Sequence, residues 1–441
     1  MRTYPEYKKS GHPLIGLVPE HWGIIPNGAF FQVKSIKNNK DEQNLSVYRD
    51  YGVIPRDSRD DNHNRVSEDI SNYKLVEVGD FVLNKMKCWM GSLGVSDYRG
   101  IVSPSYTVCE PIREIHRKYF HYLLRSRDYI KIYESLSYGV RIGQWELRFH
   151  DFKQIKSLYP PLFEQKQISN YLDRKTQQID YLIEKTERKI ELLEEQRSSL
   201  INQCVTKGLD PNVEMKDSGV EWIGEIPKGW KIIPIKRLLQ KGRDSIRTGP
   251  FGSELKSTDF VESGIKVYNQ RTVYDDDYYS GEIFITEDKY QSLINFKVLP
   301  GDLLITTRGT VGRVSIVPDG IEQGVIHPCL IKFRINNQIM DSSYLVRYIN
   351  QSTLFITNVL FESNSTTIEV IYSETLKGVR VPIPSLSEQK QISDYLDKET
   401  SKIDQEVDTE TKRIELLKEY RQSLISNVVT GKIDVRDEMI Q

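Results

Sequence analysis

Two nearly identical stretches, one in each half of this 441-residue chain, limit what the chain can fold into. The decapeptide EQKQISNYLD starts at Glu164, and EQKQISDYLD starts at Glu388. The similarity continues further along, because IELLEEQRSSLI from Ile190 returns as IELLKEYRQSLI from Ile414. A repeat with so long a period indicates a duplicated architecture, in which each copy supplies the same structural unit.

A second, weaker repeat opens each half of the chain. The segment SGHPLIGLVPEHWGIIP from Ser10 parallels SGVEWIGEIPKGWKIIP from Ser218, which aligns Trp22 with Trp230. The sequences between this opening segment and the repeated stretch differ in both length and residues. The chain therefore alternates variable modules with shared ones. A duplicated frame with diverged inserts is typical of a scaffold that presents two different recognition surfaces.

The repeated stretches have the pattern of long amphipathic helices. Apolar residues recur every three or four positions, as expected for one face of a helix. The two stripes predict that the helices pack on each other as an intramolecular coiled coil, and two unrelated core helices are the alternative. Ser387 is the expected N-cap of the second helix. The helix-pair positions are Ile168, Leu172, Ile179, Ile190, Leu193, Leu200, Ile392, Leu396, Ile403, Ile414, Leu417 and Leu424.

The variable modules have the patterns of short strands mixed with helices, which predicts an α+β fold. One helix is expected over YFHYLLRSRDYIKIYESL in the first module and one over SSYLVRYINQSTLFITNVL in the second. Prolines at Pro160, Pro161, Pro382 and Pro384 are expected to break the chain before each long helix. The strand-like segments are DFVLNKM, SLGVS and YTVCE, then IKVYNQRTV, DLLITTRG, RVSIV and CLIKFRI.

Charge and cysteine content narrow the setting in which the chain works. Lys and Arg total 61 against 62 Asp and Glu, so any nucleic-acid surface must be a local patch. The four cysteines are widely spaced and form no Cys-x-x-Cys, which predicts neither a zinc site nor a disulfide framework. No apolar stretch approaches the roughly 18 residues that cross a bilayer. We therefore expect a soluble, cytoplasmic protein.

Several catalytic classes lack their motifs in this sequence. Neither the Gly-rich cofactor loop nor the catalytic tetrapeptide of an adenine or cytosine methyltransferase occurs. The segment GPFGSELKS does not match the Walker A pattern, because Leu255 stands where the pattern requires its second glycine. Glu164 and Glu388 lie at predicted helix starts, where a carboxylate complements the helix dipole, so we interpret both as structural rather than as nuclease residues. No catalytic residue and no metal ligand is expected.

Three segments of the second module mix small residues with polar and basic ones, namely RTGPFGSELK, NQRTV and TTRGTVGR. Arg can pair with guanine, Asn or Gln with adenine, and glycine lets the backbone approach phosphate. The alternative is that these are ordinary hairpin turns, and that the histidine of GVIHPCL is structural. The predicted DNA-binding residues here are Arg247, Lys256, Asn269, Arg271, Thr307, Arg308, Thr310, Arg313 and His327.

The first module carries comparable segments, NKMKCWMGS, YRGIVSPSY and YGVRIGQWELR. Trp89 and Trp145 are read either as core residues or as base-stacking platforms. The predicted DNA-binding residues here are Lys85, Lys87, Arg99, Arg141, Gln144 and Arg148. A basic segment could also track phosphates, although a solvated helix face explains it equally well. Its residues are Arg113, Arg117, Lys118, Arg125, Arg127 and Lys131.

End to end, the chain resembles the DNA-specificity subunit of a type I restriction-modification system. The resemblance is carried by YPEYKKSG with VPEHW and its copy KDSGVEWIGEIPKGW, by PPLFEQKQISNYLD and IPSLSEQKQISDYLD, and by GPFGSELK, TTRGTVG and GIVSPSYTV. It implies two target-recognition domains joined by two long helices that form an antiparallel coiled coil. The implied boundaries are 1–160 and 208–385 for the recognition domains, and 161–207 and 386–441 for the helices.

The resemblance also implies a function without catalysis by this chain. Each recognition domain would read one half of a split, asymmetric DNA duplex sequence, and the helices would set the spacing. The implied partners are two methyltransferase subunits and two ATP-driven restriction subunits. S-adenosylmethionine, ATP and magnesium would belong to those partners, with no cofactor bound by this chain. GHPLIGL in place of GVEWIGE departs from the pattern and puts partner docking at the first half in doubt.

Three other functions stay open on the sequence. One is the specificity subunit of a related restriction-methylation system with a different stoichiometry, which would share every feature quoted above. Another is a coiled-coil scaffold with two protein-binding modules, which salt-sensitive duplex binding would exclude. The third is an enzyme acting alone, for which cofactor binding by the isolated chain is the discriminating observation.

Overall fold

The computed structural model describes residues 2–49, 51–59, 69–139, 145–242, 244–281, 283–309, 311–363 and 370–437. Their contacts divide the chain into two compact units. Unit 1 comprises Met1–Glu187 with Thr411–Gln441, and unit 2 comprises Arg188–Glu410. Both boundaries fall inside long helices, so each unit contains one variable module together with a part of each long helix.

Unit 1 contains strands β1 to β12, three short helices and the first part of helix α4. A four-stranded antiparallel sheet of order β4-β11-β8-β9 forms its centre. The elements are β1 Tyr7–Lys9, β2 Leu17–Pro19, β3 Gly23–Pro26, β4 Phe31–Lys34, β5 Leu45–Tyr48, β6 Gly52–Pro55, β7 Lys74–Val76, β8 Phe81–Asn84, β9 Leu93–Val95, β10 Gly100–Val102, β11 Tyr106–Pro111, α1 Arg117–Leu124, α2 Arg127–Leu136, α3 Phe149–Phe152, β12 Lys156–Tyr159 and α4 Leu162–Lys207.

Unit 2 contains an equivalent antiparallel sheet of order β16-β23-β20-β21 and a second sheet of order β17-β19-β18-β22. Its elements are β13 Met215–Asp217, β14 Glu225–Pro227, β15 Lys231–Pro234, β16 Ile246–Thr248, β17 Phe260–Val261, β18 Ile265–Tyr268, α5 Gln270–Asp275, β19 Phe284–Ile285, α6 Glu287–Ser292, β20 Leu303–Thr306, β21 Val314–Ile316, β22 Gly324–Ile326, β23 Leu330–Phe333, α7 Ser342–Gln351, α8 Thr353–Ser363, α9 Ser373–Gly378, β24 Arg380–Ile383 and α10 Leu386–Val429.

The two long helices run antiparallel within each unit. In unit 2, Arg197 Nε lies 2.9 Å from Asp404 Oδ1, and Lys189 Nζ lies 2.8 Å from Glu410 Oε1. The earlier residue of α4, Lys189, pairs with the later residue of α10, Glu410. This order means that the two helices run antiparallel. In unit 1, Arg421 Nε donates to Asp180 at 2.9 Å, at the position of α10 that repeats Arg197. The predicted fold class, two α+β modules on a duplicated pair of long helices, is confirmed.

The predicted helix-pair positions are buried or half-buried in both units. Ile168, Leu172 and Ile179 pack in the core of unit 1 with Leu424, and Leu417 packs against that core. Ile392 and Leu396 pack in the core of unit 2, with Leu200 against it. The remaining positions, Ile190, Leu193, Ile403 and Ile414, are each less than about a third exposed. Burying these side chains stabilises the helices through their apolar faces rather than through propensity alone.

A buried glutamine ties the start of each long helix to the module before it. Gln165 Nε2 donates to the Pro160 carbonyl at 2.8 Å, and its Oε1 accepts the N–H of His116 at 2.9 Å. In unit 2, Gln389 Nε2 donates to the carbonyl of Pro384 at 3.0 Å, and its Oε1 accepts from the N–H of Asp341 at 2.7 Å. Both bonded N–H groups precede the first helix of the α-pair in their module.

The glutamate before each of these glutamines holds the tryptophan of the opening segment. Trp22 Nε1 donates to Glu164 at 2.9 Å, and Trp230 Nε1 donates to Glu388 at 3.1 Å. Glu164 is 1% exposed and also lies 2.6 Å from His21 Nε2. The repeated motif therefore fixes the opening segment to the long helix, which agrees with the structural interpretation of both carboxylates.

Three local predictions differ from the structure. Each module has two consecutive helices, α1 with α2 and α7 with α8, where one was predicted, because Ser126 and Ser352 adopt extended backbone and interrupt the helix. The segment after β18 is helix α5 rather than strand, since the Asn269 side chain caps it by accepting from two backbone N–H groups. Helix α10 begins one residue before Ser387, and Ser385 Oγ accepts from the N–H of Glu388 at 3.3 Å in the N-cap role.

Candidate nucleic-acid interface

Loops of unit 2 that are far apart in sequence meet at one end of its two sheets. Thr307 follows β20, and both its N–H and its hydroxyl donate to the carbonyl of Cys329, at 3.0 and 2.9 Å. The side-chain amide of Gln270, at the start of α5, donates to the carbonyl of Arg308. The NQRTV and TTRG segments, which sequence analysis singled out separately, are thus joined by hydrogen bonds.

The GPFG loop joins the same cluster through backbone contact. A Cβ atom at Gly249 would lie 2.3 Å from the carbonyl oxygen of His327, so only glycine fits there. The loop that follows is held by Glu254, whose carboxylate accepts the N–H of Phe251 at 2.8 Å, and by the buried Leu255. Phe251 itself is 78% exposed, so a fixed loop displays an aromatic ring to solvent.

Two exposed basic side chains of this cluster are Arg271 and Arg308. Arg271 is 89% exposed, with a carboxylate partner one helical turn away at Asp275, 3.1 Å distant. Arg308 is also exposed, next to the buried Thr307. Two guanidinium groups and an aromatic ring therefore surround loops whose own polar groups are satisfied internally.

His327 lies within this cluster as a neutral group. Burial lowers the pKa of His327, and burial raises the pKa of the neighbouring Cys329 thiol. The two side chains are 2.7 Å apart, from Nδ1 to Sγ. A protonated thiol donating to a neutral imidazole satisfies both groups, so the pair holds the turn at the loop rather than adding positive charge.

In unit 1 the NKMK segment and the residues before α3 come together. The carbonyl of Lys85 accepts the N–H of Leu147 at 2.9 Å, and Lys85 Nζ lies 3.3 Å from the Glu146 carboxylate. Trp89 and Trp145 are half-buried with ring centroids 5.1 Å apart. The tryptophans therefore contact each other, between the two segments.

A second basic residue on this edge of unit 1 is Lys74, which sequence analysis did not single out. Its Nζ donates to the carbonyl of Tyr106 at 2.5 Å, and Tyr106 pairs with Asn84 in the central sheet. Burial, and then the nearby charges of Lys85 and Lys37, lower the pKa of Lys74. Burial and neighbouring positive charge therefore both disfavour the charged form of Lys74.

The whole frame carries the sequence pattern of one family. The model of the type I restriction modification DNA specificity domain matches residues 19–194 and again 227–418. The chain belongs to this family. Both matches run from the opening segment of a half into the repeated helix, so the duplication seen in the sequence is a duplication of the specificity domain.

Curated relatives match over nearly the whole chain. The type I restriction enzyme MjaVIII specificity subunit of Methanocaldococcus jannaschii is 24% identical over 433 residues, 95% of each chain. The putative type I restriction enzyme MjaX specificity subunit of the same organism is 23% identical over 445 residues, 96% of each.

Solved structures share the fold of this specificity-domain pair. A chain from work on complex assembly and conformational transition of the type I R-M system superposes with a TM-score of 0.69 at 17% identity, covering 94% of this chain and 99% of that chain. The HsdS subunit from Thermoanaerobacter tengcongensis gives 0.53 at 17% identity, covering 94% and 98%.

Other predicted DNA-binding residues of the specificity domains have carboxylate or aromatic partners. Arg99 pairs with Glu42 and Glu77 at 2.7 and 2.8 Å, which raises the pKa of Arg99 and balances its charge. Arg247 pairs with Asp244 at 2.6 Å and sits over the Phe296 ring. These two arginines are held by their own module rather than presented by the loop clusters.

The remaining predicted residues fall into three groups. Arg148 lies over the ring of Tyr138, 4.9 Å from its centroid, at the N-cap of α3. Exposed residues at the ends of strands or short turns are Lys87, Lys256 and Arg313. Residues outside the described part of the chain are Arg141, Gln144 and Thr310. Assignment of all of these to DNA binding stays a prediction.

The described residues lack both a metal cluster and a membrane-spanning helix. Within them, no group of three or more His, Cys, Asp or Glu side chains has an arrangement that could hold a metal ion. Among the same residues, no helix is both long and apolar enough to cross a membrane.

Proposed function

We propose that this chain directs a type I restriction-modification complex to a split, asymmetric DNA duplex sequence, with one module reading each half-site. The observation that carries the proposal is a repeated frame bearing two different loop clusters. The anchors at Gln165 and Gln389 are equivalent, whereas the loops around Trp89 and around Arg308 differ in residues and contacts. A duplicated frame that carries two different loop clusters is suited to bind two different half-sites at a fixed spacing.

The chain works with partners and contributes no catalytic group in this proposal. The relatives are named as specificity subunits of type I restriction enzymes, which supports a complex with other subunits. In this proposal those partners are two methyltransferase subunits and two restriction subunits. S-adenosylmethionine, ATP and magnesium are bound by those partners. The net charge of −1 supports binding of the DNA phosphates by several subunits together, in which partner subunits supply part of the positive surface. The complex acts in the cytoplasm, where its DNA lies and where its four free cysteines stay reduced.

Methylation mapping tests the proposal directly. Genomic DNA is sequenced by a single-molecule method from cells that express the chain with and without its methyltransferase partner. The expected result is N6-methyladenine at one split motif only when both are present, which also gives both half-sites and the gap. A soluble complex that binds duplex without sequence preference and adds no methylation would overturn the proposal.

Two companion measurements separate the alternatives. The mass of the intact complex distinguishes two restriction subunits from the stoichiometry of a related system. Duplex binding at several salt concentrations distinguishes a DNA reader from a scaffold with two protein-binding modules, because only phosphate contacts make affinity fall steeply with salt.

A further inference from the structure

A cavity of about 460 Å³ lies within unit 1, next to the turn that holds Trp89. Its walls are the short turn that holds Trp89 and Met90, the corner between α1 and α2, and the part of α10 that belongs to unit 1. The recognition module and the helix pair therefore both contribute side chains to one concave site.

The cavity is lined by cations. Its basic lining residues are Arg49, Arg125, Arg127, Lys131 and Arg421, and no carboxylate of the described residues is in the lining. Arg127 and Lys131 are exposed and stand one helical turn apart on α2, where like charges repel each other. Such a concentration of like charge costs stability unless an anion shares the cavity.

Part of this cationic lining is held rigidly. The guanidinium of Arg125 donates to the backbone carbonyls of Arg49 and Gly91, at 2.6 and 3.2 Å. Arg421 is oriented by Asp180 at 2.9 Å. By contrast, Arg127 and Lys131 have no ion pair among the described residues. Arg127 and Lys131 are therefore two cations of the lining whose charge no carboxylate of the described residues balances, and two such cations side by side suit a ligand with more than one negative charge.

The structure also separates this cluster from the rest of the basic segment in the sequence. Lys118 pairs with Asp173 at 2.6 Å. Arg113 packs over the rings of Phe30 and Tyr159. Of the six basic residues of the segment, Arg125, Arg127 and Lys131 line the cavity, so a uniformly solvated helix face does not describe the segment.

Among the described residues of unit 2, the matching positions carry neutral side chains. Counted from the first residue of the second helix of each pair, Thr353 stands where Arg127 does and Thr357 stands where Lys131 does. Asn202 of α4 donates to Thr353 Oγ1 at 3.0 Å, so neutral hydrogen bonds join helix and module there. The cationic cavity is a property of the first half and not of the repeated frame.

We propose that this cavity, which we call the α2 pocket, binds phosphate groups of the DNA backbone. The inference rests on the proposed function and adds that the two halves bind the DNA backbone differently, because the cations of the first half are replaced by threonines at the matching described positions of the second. The ligand is a phosphodiester of duplex DNA beside the first half-site. Contacts to phosphate position the duplex without reading bases, so the α2 pocket contributes affinity and not sequence choice.

The test uses the assembled complex with Arg127→Gln and Lys131→Gln in the full chain. Affinity is measured at several salt concentrations for duplexes with and without the mapped site. Each lost phosphate contact makes the slope of log affinity against log salt shallower by about one unit, so a change of about two is expected. Both duplexes should weaken by the same factor, and the methylated motif should stay the same.

A matched pair of variants controls for damage to the helices. Arg421→Gln and Arg197→Gln each remove an ion pair between the long helices at repeated positions, but only Arg421 lines the α2 pocket. Arg421→Gln should weaken duplex binding several-fold and flatten its salt slope, and Arg197→Gln should do neither. Equal effects of the two variants would overturn the inference.

Two further outcomes distinguish a failure of this inference from a failure of the proposed function. If the double variant loses binding of ATP or inorganic phosphate while its duplex salt slope is unchanged, the α2 pocket takes a free phosphate ligand and the inference is wrong. If the unaltered complex shows no preference for any duplex sequence, the proposed function fails first. If the complex is sequence-specific but the double variant keeps the salt slope of the unaltered complex, the inference about the α2 pocket is wrong and the proposed function stands.

Discussion

The two halves of the molecule keep the same contacts where module meets long helix and differ in the loops of their modules. Tyr119 of unit 1 donates its hydroxyl to the Val429 carbonyl of α10 at 3.4 Å, and Tyr344 of unit 2 donates its hydroxyl to the Val205 carbonyl of α4 at 3.3 Å. In the described part of the chain, a second four-stranded sheet occurs in unit 2 alone, and its strands β18 and β22 run parallel. The comparison indicates that the frame is constrained by geometry, while the modules are free to diverge as long as their anchors hold.

The opening segments show one place where the frame itself differs. In unit 2, Trp222 packs against Phe361 with ring centroids 4.3 Å apart. Leu14 occupies the matching position in unit 1, is 41% exposed, and lies beside a cavity of about 310 Å³ that Ile15 lines. The aromatic contact that Trp222 makes in the second half is therefore replaced in the first half by an exposed leucine. The expectation that partner docking differs there stays a prediction.

The largest expected effect tests whether the frame is equivalent in the two halves. Trp22→Ala and Trp230→Ala each remove a buried ring and the donor to Glu164 or Glu388, so each should lower the free energy of unfolding of its own unit by about 3–5 kcal/mol. Hydrogen-exchange mass spectrometry in denaturant reads the two units separately. A cost below about 1 kcal/mol for either variant would break the equivalence.

The second prediction tests whether the halves read DNA independently. Arg308→Ala should relax the methylated motif in the second half-site only, and Arg148→Ala in the first only, since one lost base contact removes about 1–3 kcal/mol of discrimination. Methylation mapping of the two variants measures this. An unchanged motif in either case would remove that arginine from the readers, and relaxation of both half-sites by one variant would contradict independent reading.

The third prediction concerns the exposed ring of Phe251 in the GPFG loop of the second half. Phe251→Ala should weaken duplex binding by about 1–2 kcal/mol, because an aromatic ring fixed at a loop tip is suited to stack on or wedge against bases. Phe251→Trp should retain binding. Tyr279→Ala is the control, since Tyr279 is 61% exposed in the same unit but outside the loop cluster. If Phe251→Ala and Tyr279→Ala weaken duplex binding equally, the loss comes from a general disturbance of unit 2 and not from a contact of Phe251 with DNA.

The helical frame was predictable from sequence because its signals are local and occur twice. The three-four spacing of Ile168 and Leu172 specifies a buried face, and the copy at Ile392 and Leu396 confirms the period. Helix interruptions inside the modules were missed, because the amphipathic pattern on either side of Ser126 is continuous in sequence. Only the extended backbone of that serine separates the two helices.

The interface was predictable only as separate segments. NQRTV and TTRG were both singled out, but the hydrogen bond from Gln270 to Arg308 depends on strand pairing that no local pattern specifies. The α2 pocket is harder still, because Arg421 is a regular surface position of a long helix until the module is folded against it. Phe251 could have been found, since proline and glycine on either side mark a loop tip.

The smallest expected effect is an acid sensitivity confined to the first half. Burial, and then the charge of Arg125, lowers the pKa of His121 from 6.5 to about 3. Below pH 6.5 the unfolded chain therefore takes up a proton at this residue that the folded chain does not, so stability falls as the pH falls and is unaffected above that value. In unit 2 the corresponding position of α7, counted from its first residue, is Val346. His121→Gln should reduce the loss of stability of unit 1 between pH 7 and pH 5, as measured by hydrogen exchange, and leave unit 2 unchanged. An identical pH dependence in the variant would mean that His121 is protonated in the folded chain, and that the cations of the α2 pocket do not act on it.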